Sequence, residues 1–345
     1  MKKLIIATVL ASMGTSSAFA AQEINRGNYI EAETSKYFTV TEAKATDGVN
    51  SWRHFRTPPA TNDQPIVRMN RDTIYSTAVI DTEKGATITL PDFGDRFVMV
   101  QFTDEQHMTQ DLIYTKGNET IKVPQTTKFQ FVVVRAYLPD LNDTAEIAQL
   151  NKLQDQLVIK AGSKDDYKTF GGYDLATLAE KLEPIKKEIL DEIAEQHVAD
   201  SDQMFGMGEY TTPEKREQGA AYGWGGATYK DNVYQYSPNF KSTQCHSTTF
   251  EDPKNKGFWS FTVYNEDGFM FNDDASSNSG VATPNADGTY TIYFGCDEEK
   301  YGANNIPLEG LKEGQQWNVL VRQYAPTAEF RSMGIDPSKT IVPVK

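Results

Sequence analysis

The sequence predicts a mainly β protein with two β-rich domains, the second a jelly-roll-like sandwich, and an amphipathic helical segment between them. Three observations favour this fold class. Short alternating or continuously apolar runs recur in both halves of the chain. Turn signals rather than helical patterns separate these runs, which favours antiparallel strand pairing. The middle of the chain instead carries apolar residues at helical spacing.

Residues 1–20 have the features of a signal peptide. Lys2 and Lys3 precede a short apolar run, and Ala18-Phe19-Ala20 fits the small-x-small rule for cleavage. The run is too short to span a bilayer. We therefore expect a mature chain that begins near Ala21, is periplasmic or secreted, and has no membrane insertion after signal removal.

Residues 21–140 are predicted to form the N-terminal β-rich domain. Residues 73–80 carry apolar side chains on both parities, which is typical of a strand buried on both faces. Residues 97–102 and Phe129–Tyr137 are strong strand signals, and a Lys-Gly-Asn turn at residues 116–118 lies between them. This order predicts an antiparallel arrangement.

Residues 141–219 are predicted to form the helical connecting segment. One pattern covers residues 144–159 behind Asp143 as a cap, and a second covers residues 175–193 with Asp174 as its cap and Pro184 as a break or kink. The first pattern consists of Ile147, Leu150, Leu153 and Leu157. Such stripes are packing surfaces. They cover a sheet, bridge the domains or form a homo-oligomer interface.

Residues 220–345 are predicted to form the C-terminal β domain. In the run FWSFTVY the uniformly apolar Trp259, Phe261 and Val263 share one parity, so they should face a core. Residues 290–294 and Trp317–Tyr324 continue the strand pattern after Asp-Gly and Glu-Gly turns. Several such strands with long polar loops favour a jelly roll or a related sandwich.

The composition limits the partners of this domain pair. The formal net charge of the whole chain is -14, and this acidity argues against nucleic acid and anionic lipid surfaces, which require a basic footprint. The two cysteines, Cys245 and Cys296, fit an oxidising compartment. They either form a disulfide or remain buried thiols, and the sequence leaves both alternatives open. No metal site and no cofactor are predicted.

The stretch RMNRDTIYSTAVID at residues 68–81 places unusual charge at the start of a strand. Arg71 and Asp72 can pair with each other and hold a domain junction. Alternatively, an arginine binds an anionic group of a ligand while Asp72 and Tyr75 orient it or move a proton. We therefore list Arg71, Asp72 and Tyr75 as candidate catalytic residues, and Arg68 and Asn70 as candidate ligand-binding residues.

Asp104 and His107 form a second candidate cluster, directly after the predicted strand at residues 97–102. A carboxylate and an imidazole at a strand end can supply a base and its orienting partner. A solvated polar loop is the alternative. Both residues are kept as candidate catalytic residues.

Two of these segments carry a resemblance to known proteins. The run Asn70 to Tyr75, and the run Phe258 to Tyr264 followed by Asp267-Gly268, resemble two adjacent domains of unknown function in exported bacterial proteins. The resemblance implies two β-rich domains with helices between them, and it supplies no reaction. Where those proteins usually have an Asn-Trp-Leu-Pro type of segment, this chain has Asn-Asn-Ile-Pro at residues 304–307, so ligand stacking on that tryptophan is not implied.

Sequence motifs of several common enzyme classes are absent from the chain. The chain has no Gly-x-Ser-x-Gly, His-Glu-x-x-His, phosphate-binding glycine loop or Gly-x-Gly-x-x-Gly. We prefer a binding protein for a small or glycan-like ligand in a cleft, with Trp259 and Tyr264 among the ligand-binding residues. The alternatives are a hydrolase or lyase that uses the carboxylate, histidine and arginine cluster, and a structural oligomeric scaffold.

Overall fold

The fold is described by a computed structural model that covers residues 22–64, 67–168, 172–195, 201–329 and 335–344. The signal peptide predicted at residues 1–20 lies outside these ranges. Strands form the greater part of the architecture, with helices between the two β-rich halves, so the predicted fold class is confirmed.

The strands lie in two groups along the chain. The first eight are β1 (Arg53–His54), β2 (Thr73–Asp81), β3 (Ala86–Asp92), β4 (Val98–Asp104), β5 (Ile113–Thr115), β6 (Gly117–Lys122), β7 (Phe129–Tyr137) and β8 (Val158–Ala161). The next eight are β9 (Asn232–Tyr236), β10 (His246–Glu251), β11 (Trp259–Asn265), β12 (Ser276–Asn278), β13 (Thr289–Phe294), β14 (Asn305–Ile306), β15 (Trp317–Tyr324) and β16 (Val342–Pro343).

Of the helices in the described ranges, the four longer ones lie before residue 224, and two short ones lie among the strands of the second group. They are α1 (Tyr29–Lys44), α2 (Thr144–Gln154), α3 (Leu178–Glu195), α4 (Pro213–Gly223), α5 (Glu298–Tyr301) and α6 (Pro337–Thr340). Among the described residues, no helix is both long enough and apolar enough to cross a bilayer.

The first domain is a two-sheet sandwich with one face covered by helices. A five-stranded antiparallel sheet has the order β1-β2-β7-β4-β5, and a three-stranded sheet has the order β6-β3-β8. Side chains such as Ile74, Val134 and Val100 fill the space between the sheets. The opposite face of the larger sheet packs against α1, α3 and α4. Strand β2 is therefore buried on both faces, as predicted.

The helical predictions are confirmed in part. Asp143 caps α2 by accepting from the backbone N–H groups of Ala145 and Glu146. The helix ends at Gln154 rather than residue 159, because the chain then extends into β8 and pairs with β3. Helix α3 continues through Pro184 without a break.

The second domain is a sandwich of two four-stranded sheets, ordered β14-β13-β10-β16 and β12-β11-β15-β9. Trp259, Phe261 and Val263 lie in the core between these sheets, as the parity of β11 predicts. A disulfide joins Cys245 to Cys296, which resolves the alternative left open by the sequence. The boundaries predicted for the separate domains stay predictions.

Candidate functional site

The second domain presents one sheet face to the first domain. In β15, Val319 and Val321 fill the sandwich core, so Leu320, Arg322 and Tyr324 point to the opposite face. Directly paired residues lie on the same face of a sheet. The pairing of Leu320 with Tyr236 and of Arg322 with Tyr234 therefore adds two tyrosines from β9 to this face.

The first domain supplies the facing wall from β2 and β7. Tyr75 pairs with Arg135 and Thr77 pairs with Val133, so these four side chains share the face that lies away from the sandwich core. Phe131 follows on the same parity of β7. An arginine thus lies at the centre of an otherwise apolar and aromatic wall.

A cavity of about 110 Å³ lies between these two walls, and we call it the inner cavity. The Gly223 to Gly226 loop after α4, the Phe205 ring and the segment from Val67 to Asn70 complete its lining. Trp224 anchors the loop because its indole Nε1 donates to Thr34 Oγ1 over 3.1 Å and its ring stacks on Tyr37 at 4.4 Å.

Arg135 and Arg322 are the main charges of the inner cavity. Arg135 donates to Gln101 Oε1 at 2.7 Å and to the Gly225 carbonyl at 3.2 Å. Arg322 donates to the Thr262 hydroxyl at 3.0 Å and to the Tyr264 hydroxyl at 2.8 Å. These hydrogen-bond partners are neutral, and within the described parts of the chain neither arginine forms an ion pair with a carboxylate.

The two guanidinium groups differ in their surroundings. Arg322 is fully buried, and burial lowers its pKa, but interactions with Tyr264, Tyr324 and Asp72 raise the pKa more, so the group stays charged. Arg135 is only half-buried at the cavity wall. Asp72 acts on Arg322 from beyond ion-pair distance. A cation with no carboxylate at ion-pair distance favours an anion nearby, because a closer counter-charge offsets the cost of desolvation.

Tyr234 and Tyr324 line the inner cavity as neutral hydrogen-bonding groups. Burial raises the pKa of both Tyr234 and Tyr324 above the ordinary value. The Tyr234 hydroxyl accepts from the Ala227 backbone N–H at 3.0 Å, and the Tyr324 hydroxyl accepts from the Asn70 amide. These side chains can orient a polar ligand but they carry no negative charge that would neutralise the arginines.

The candidate residues from the 68–81 stretch separate into two groups. Arg68, Asn70 and Tyr75 line the inner cavity. Arg71 instead donates to the Pro59 carbonyl and forms a 3.0 Å ion pair with Asp273 of the second domain. Asp72 is fully buried beside this junction, where burial raises the pKa of its carboxyl to about 6.

Asp104 and His107 lie behind the inner cavity rather than on its lining. One Asp104 oxygen accepts from the backbone N–H groups of Gln106 and Met108, so the carboxylate stabilises the turn after β4. His107 Nε2 accepts from the Gly225 N–H at 3.0 Å, and its ring stacks on Trp224 at 5.4 Å. Burial and the charge of Arg216 lower the pKa of His107 to about 3.

Trp259 and Tyr264 are both buried in the second domain. The Trp259 ring packs edge-on against Phe250 and Tyr290 in the sandwich core. The Tyr264 hydroxyl donates to the Met69 carbonyl at 2.6 Å, which joins the two domains. Neither residue belongs to the inner-cavity lining. The catalytic and binding roles assigned from the sequence stay predictions.

Arg135, Arg322 and Trp224 are cavity residues that sequence reasoning missed. A signal was present for the two arginines, because each follows an apolar run within a predicted strand, where a charged side chain requires a partner. Trp224 carried no such signal, since its Gly-rich neighbours indicated only a loop.

A carboxylate cluster lies at the end of β2, outside the lining of the inner cavity. Ligand oxygens of Asp81, Glu83 and Asp165 lie within 4.8 Å of one another. Asp81 already accepts from the backbone N–H groups of Glu83 and Asp165, and Lys128 pairs with the other two carboxylates. The hydrogen bonds therefore account for this cluster as a loop brace.

Comparisons with known proteins agree with the two-domain organisation. Residues 49–112 match the family model described as a protein of unknown function (DUF1254), and residues 236–328 match the model described as a protein of unknown function (DUF1214). The resemblance to two adjacent domains of unknown function is confirmed. No curated protein matches the chain.

Two solved structures share the fold. The VPA0106 protein from Vibrio parahaemolyticus has a TM-score of 0.66 at 16% identity, with 93% of this chain and 98% of that chain covered. A putative uncharacterized protein from Burkholderia cenocepacia has a TM-score of 0.56 at 16% identity, with 87% of this chain and 85% of that chain covered. At this identity the likeness supports the architecture alone.

Proposed function

We propose that the protein binds a small organic anion, such as a carboxylate, in the inner cavity. The observation that carries this proposal is the pair Arg135 and Arg322, which reach one cavity from two domains without a carboxylate partner among the described residues. Arginine presents a planar fork that matches the two oxygens of a carboxylate. The ligand would supply a counter-charge at ion-pair distance from the two arginines.

The remaining lining supports a ligand with an apolar body. Phe131, Phe205 and Trp224 offer ring surfaces, while Asn70 and the tyrosine hydroxyls offer a few oriented polar atoms. This combination is typical of small-molecule sites. It favours an organic anion over inorganic phosphate, because an inorganic ion would leave the aromatic walls without an apolar contact.

The lining also favours binding over the hydrolase or lyase alternative. The described residues of the inner cavity include no carboxylate, histidine, cysteine or serine. A general base must lie within hydrogen-bond reach of the proton that it removes. Asp104 and His107, the predicted base and its partner, lie behind the wall and are already engaged with backbone groups.

Binding of matched ligands tests the proposal. Isothermal titration calorimetry with propanoate and with propanamide compares an anion with its neutral analogue of similar shape. We expect the carboxylate alone to bind, and Arg135→Gln to weaken binding by about ten- to a hundredfold, the loss typical of one charged hydrogen bond.

Arg56→Gln is the matched control, because Arg56 is 43% exposed and pairs with Asp155 outside the cavity. It removes an equal charge and should leave the dissociation constant unchanged. Equal binding of the amide, or equal affinity of Arg135→Gln and wild type, would refute an anion site.

We further propose that the chain works outside the cytoplasm. The signal-like residues 1–20 support this, and so does the Cys245–Cys296 disulfide, since disulfides persist in oxidising compartments. Mass spectrometry of the protein from a periplasmic fraction should find an N-terminus near Ala21. An intact Met1 terminus in the cytoplasmic fraction would contradict export. Self-association through the helical segment stays a prediction.

A further inference from the structure

A second, larger space adjoins the inner cavity, and we call it the outer cleft. Its volume is about 600 Å³, and it lies between α3, the end of α4 and the loops of the second domain. It shares Val67, Arg68 and Tyr236 with the inner cavity. The two spaces are therefore neighbours separated by a few side chains.

Arg68 is the charged side chain at this boundary. Its backbone has φ +57°, a left-handed conformation that is uncommon for arginine. Hydrogen bonds from its backbone N–H and to its backbone carbonyl hold the residue in this conformation. The backbone N–H donates to the Gly268 carbonyl at 2.9 Å, and the backbone carbonyl accepts from Arg322 at 2.5 Å. The second domain thus fixes where the Arg68 side chain begins.

The guanidinium of Arg68 is held more weakly than its backbone. It lies 4.1 Å from the ring centroid of Tyr222 and 5.7 Å from that of Tyr236, and it donates to Asn318 Oδ1 at 2.9 Å. Cation–π contacts at partly exposed sites contribute little to stability. Movement of this guanidinium would break its contacts with the two rings and with Asn318, but it would leave the two backbone hydrogen bonds of Arg68 in place.

The volumes indicate that the inner cavity holds only part of a ligand. At about 110 Å³, it is smaller than a cavity of about 150 Å³ that admits one benzene. Ligand sites usually measure about 300–1,000 Å³, a range that is reached here only when the outer cleft is included.

The outer cleft is suited to an uncharged segment of that ligand. Leu190 and Ile193 of α3 and Ala221 of α4 form an apolar wall. Glu266 and Asp267 also line the outer cleft and are exposed, so their charges would repel a second anionic group. Apart from Arg68, which lines both spaces, the polarity therefore changes from cationic in the inner cavity to apolar and acidic in the outer cleft.

We infer that the two spaces form one bipartite site for an amphiphilic monoanion with an uncharged tail. Its carboxylate lies in the inner cavity near Arg135 and Arg322, its tail lies along Leu190 and Ile193, and Arg68 at the boundary contacts the atoms that pass between the two spaces. This inference rests on the proposed function, since it requires that the inner cavity bind the anionic end.

A chain-length series tests the inference. Calorimetry with linear carboxylates from butanoate to octanoate should show affinity rising by about fourfold per added methylene, the factor for burying one methylene group. Octanedioate has the same length as octanoate but ends in a second carboxylate. It should bind about tenfold more weakly, because that group lies near Glu266 and Asp267.

Leu190→Asp provides the matching variant, and Leu175→Asp is its control. Leu190 lines the outer cleft, whereas Leu175 is 47% exposed and lies outside both spaces. We expect Leu190→Asp to weaken octanoate by about tenfold or more while butanoate binding stays unchanged, and Leu175→Asp to affect neither ligand.

The failure of this inference differs from the failure of the proposed function. If no carboxylate of any length binds, both are overturned. If butanoate binds and depends on Arg135, but affinity does not rise with length or Leu190→Asp leaves octanoate unchanged, the inner cavity is an anion site and the bipartite site is refuted. Equal affinities of octanoate and octanedioate would contradict the charge argument for the outer cleft.

Discussion

The replacement His107→Asn should reduce the decrease in the free energy of unfolding that accompanies a fall in pH below about 6.5. Burial lowers the pKa of His107 to about 3 in the folded protein, whereas an unfolded histidine titrates near 6.5. The unfolded chain therefore binds a proton below about pH 6.5 that the folded chain does not bind. A group with a depressed folded pKa contributes stability above its unfolded pKa, and that contribution is lost as the pH falls.

The size of the effect follows from the two pKa values. Between high pH and about pH 4.5, titration of this one imidazole lowers the free energy of unfolding by about 2.7 kcal/mol, at about 1.4 kcal/mol per pH unit over most of the range. Asparagine cannot titrate, and it tolerates the φ of +59° at this position. Loss of the hydrogen bond from the Gly225 N–H lowers the free energy of unfolding of the variant by an amount that does not depend on pH.

Urea unfolding followed by tryptophan fluorescence measures the difference. His54, whose pKa burial lowers to about 4, titrates identically in both proteins, so its contribution cancels when the variant is compared with the wild type. We expect the two unfolding free energies to converge by about 2.7 kcal/mol between about pH 7.5 and about pH 4.5. Parallel curves would show that the His107 ring takes up a proton in the folded state, and would refute its burial behind the Gly225 loop.

Three further changes test other parts of the structure. Asp72→Asn should raise the free energy of unfolding by about 3 kcal/mol at about pH 8 and leave it unchanged at about pH 3. The reason is that burial raises the pKa of Asp72 to about 6, so ionisation of this carboxyl lowers the stability of the wild type at higher pH. A pH-independent difference in urea unfolding would contradict this. Replacing both Cys245 and Cys296 by serine should lower the free energy of unfolding by about 4 kcal/mol, the value of the chain-entropy model for a separation of 51 residues. The same urea assay measures this loss, and an unchanged midpoint would contradict it. Arg71→Ala should lower the free energy of unfolding by about 1–3 kcal/mol, because it leaves the Pro59 carbonyl unpaired. Asp273→Ala removes the 63% exposed partner of the ion pair and should lower it by less than about 1 kcal/mol. Equal losses in the two variants would refute the larger role of the Pro59 contact.

The alternation of apolar residues predicted the strands of the second domain well, because it depends only on neighbouring positions in the chain. The alternation in β11 assigns Trp259, Phe261 and Val263 to one face, and the sandwich core covers that face. The β7 and β15 strands coincide with the runs read from the sequence. Patterns with a period of two do not depend on what lies far away along the chain.

Helix α1 was not predicted, for a physical reason. Its buried positions include Glu33, Thr34 and Ser35, so its inward face has no apolar period. Glu33 is paired with Lys36, and Thr34 accepts from the Trp224 indole. Burial here depends on polar partners, which a hydrophobic pattern cannot reveal.

The inner cavity could not be predicted from the sequence because it depends on how two domains dock. Arg135 and Arg322 lie on different sheets, and no spacing rule relates a residue of β7 to one of β15. The sequence did single out Arg68, Asn70 and Tyr75 as candidate residues, because charge at the start of a predicted strand is unusual. What it could not supply was the opposite wall.

The charge of the 68–72 segment is explained by that docking. Each of its five consecutive residues bonds to the second domain through a backbone or side-chain atom. The partners are Gly268, Asn318 and Arg322 for Arg68, Tyr264 for Met69, Tyr324 for Asn70, Asp273 for Arg71 and Asn278 for Asp72.

The same segment forms both the domain junction and one wall of the inner cavity. Arg322 and Tyr324 hold this segment and also line the cavity, so a ligand that contacts them must affect the junction. A ligand that binds only the docked arrangement stabilises that arrangement by its own binding free energy. We therefore expect a bound carboxylate to protect the backbone amides at the junction from hydrogen exchange, with no matching protection in the disulfide-linked region around Cys245. Equal protection in both regions would show that the ligand stabilises the whole chain without favouring the junction.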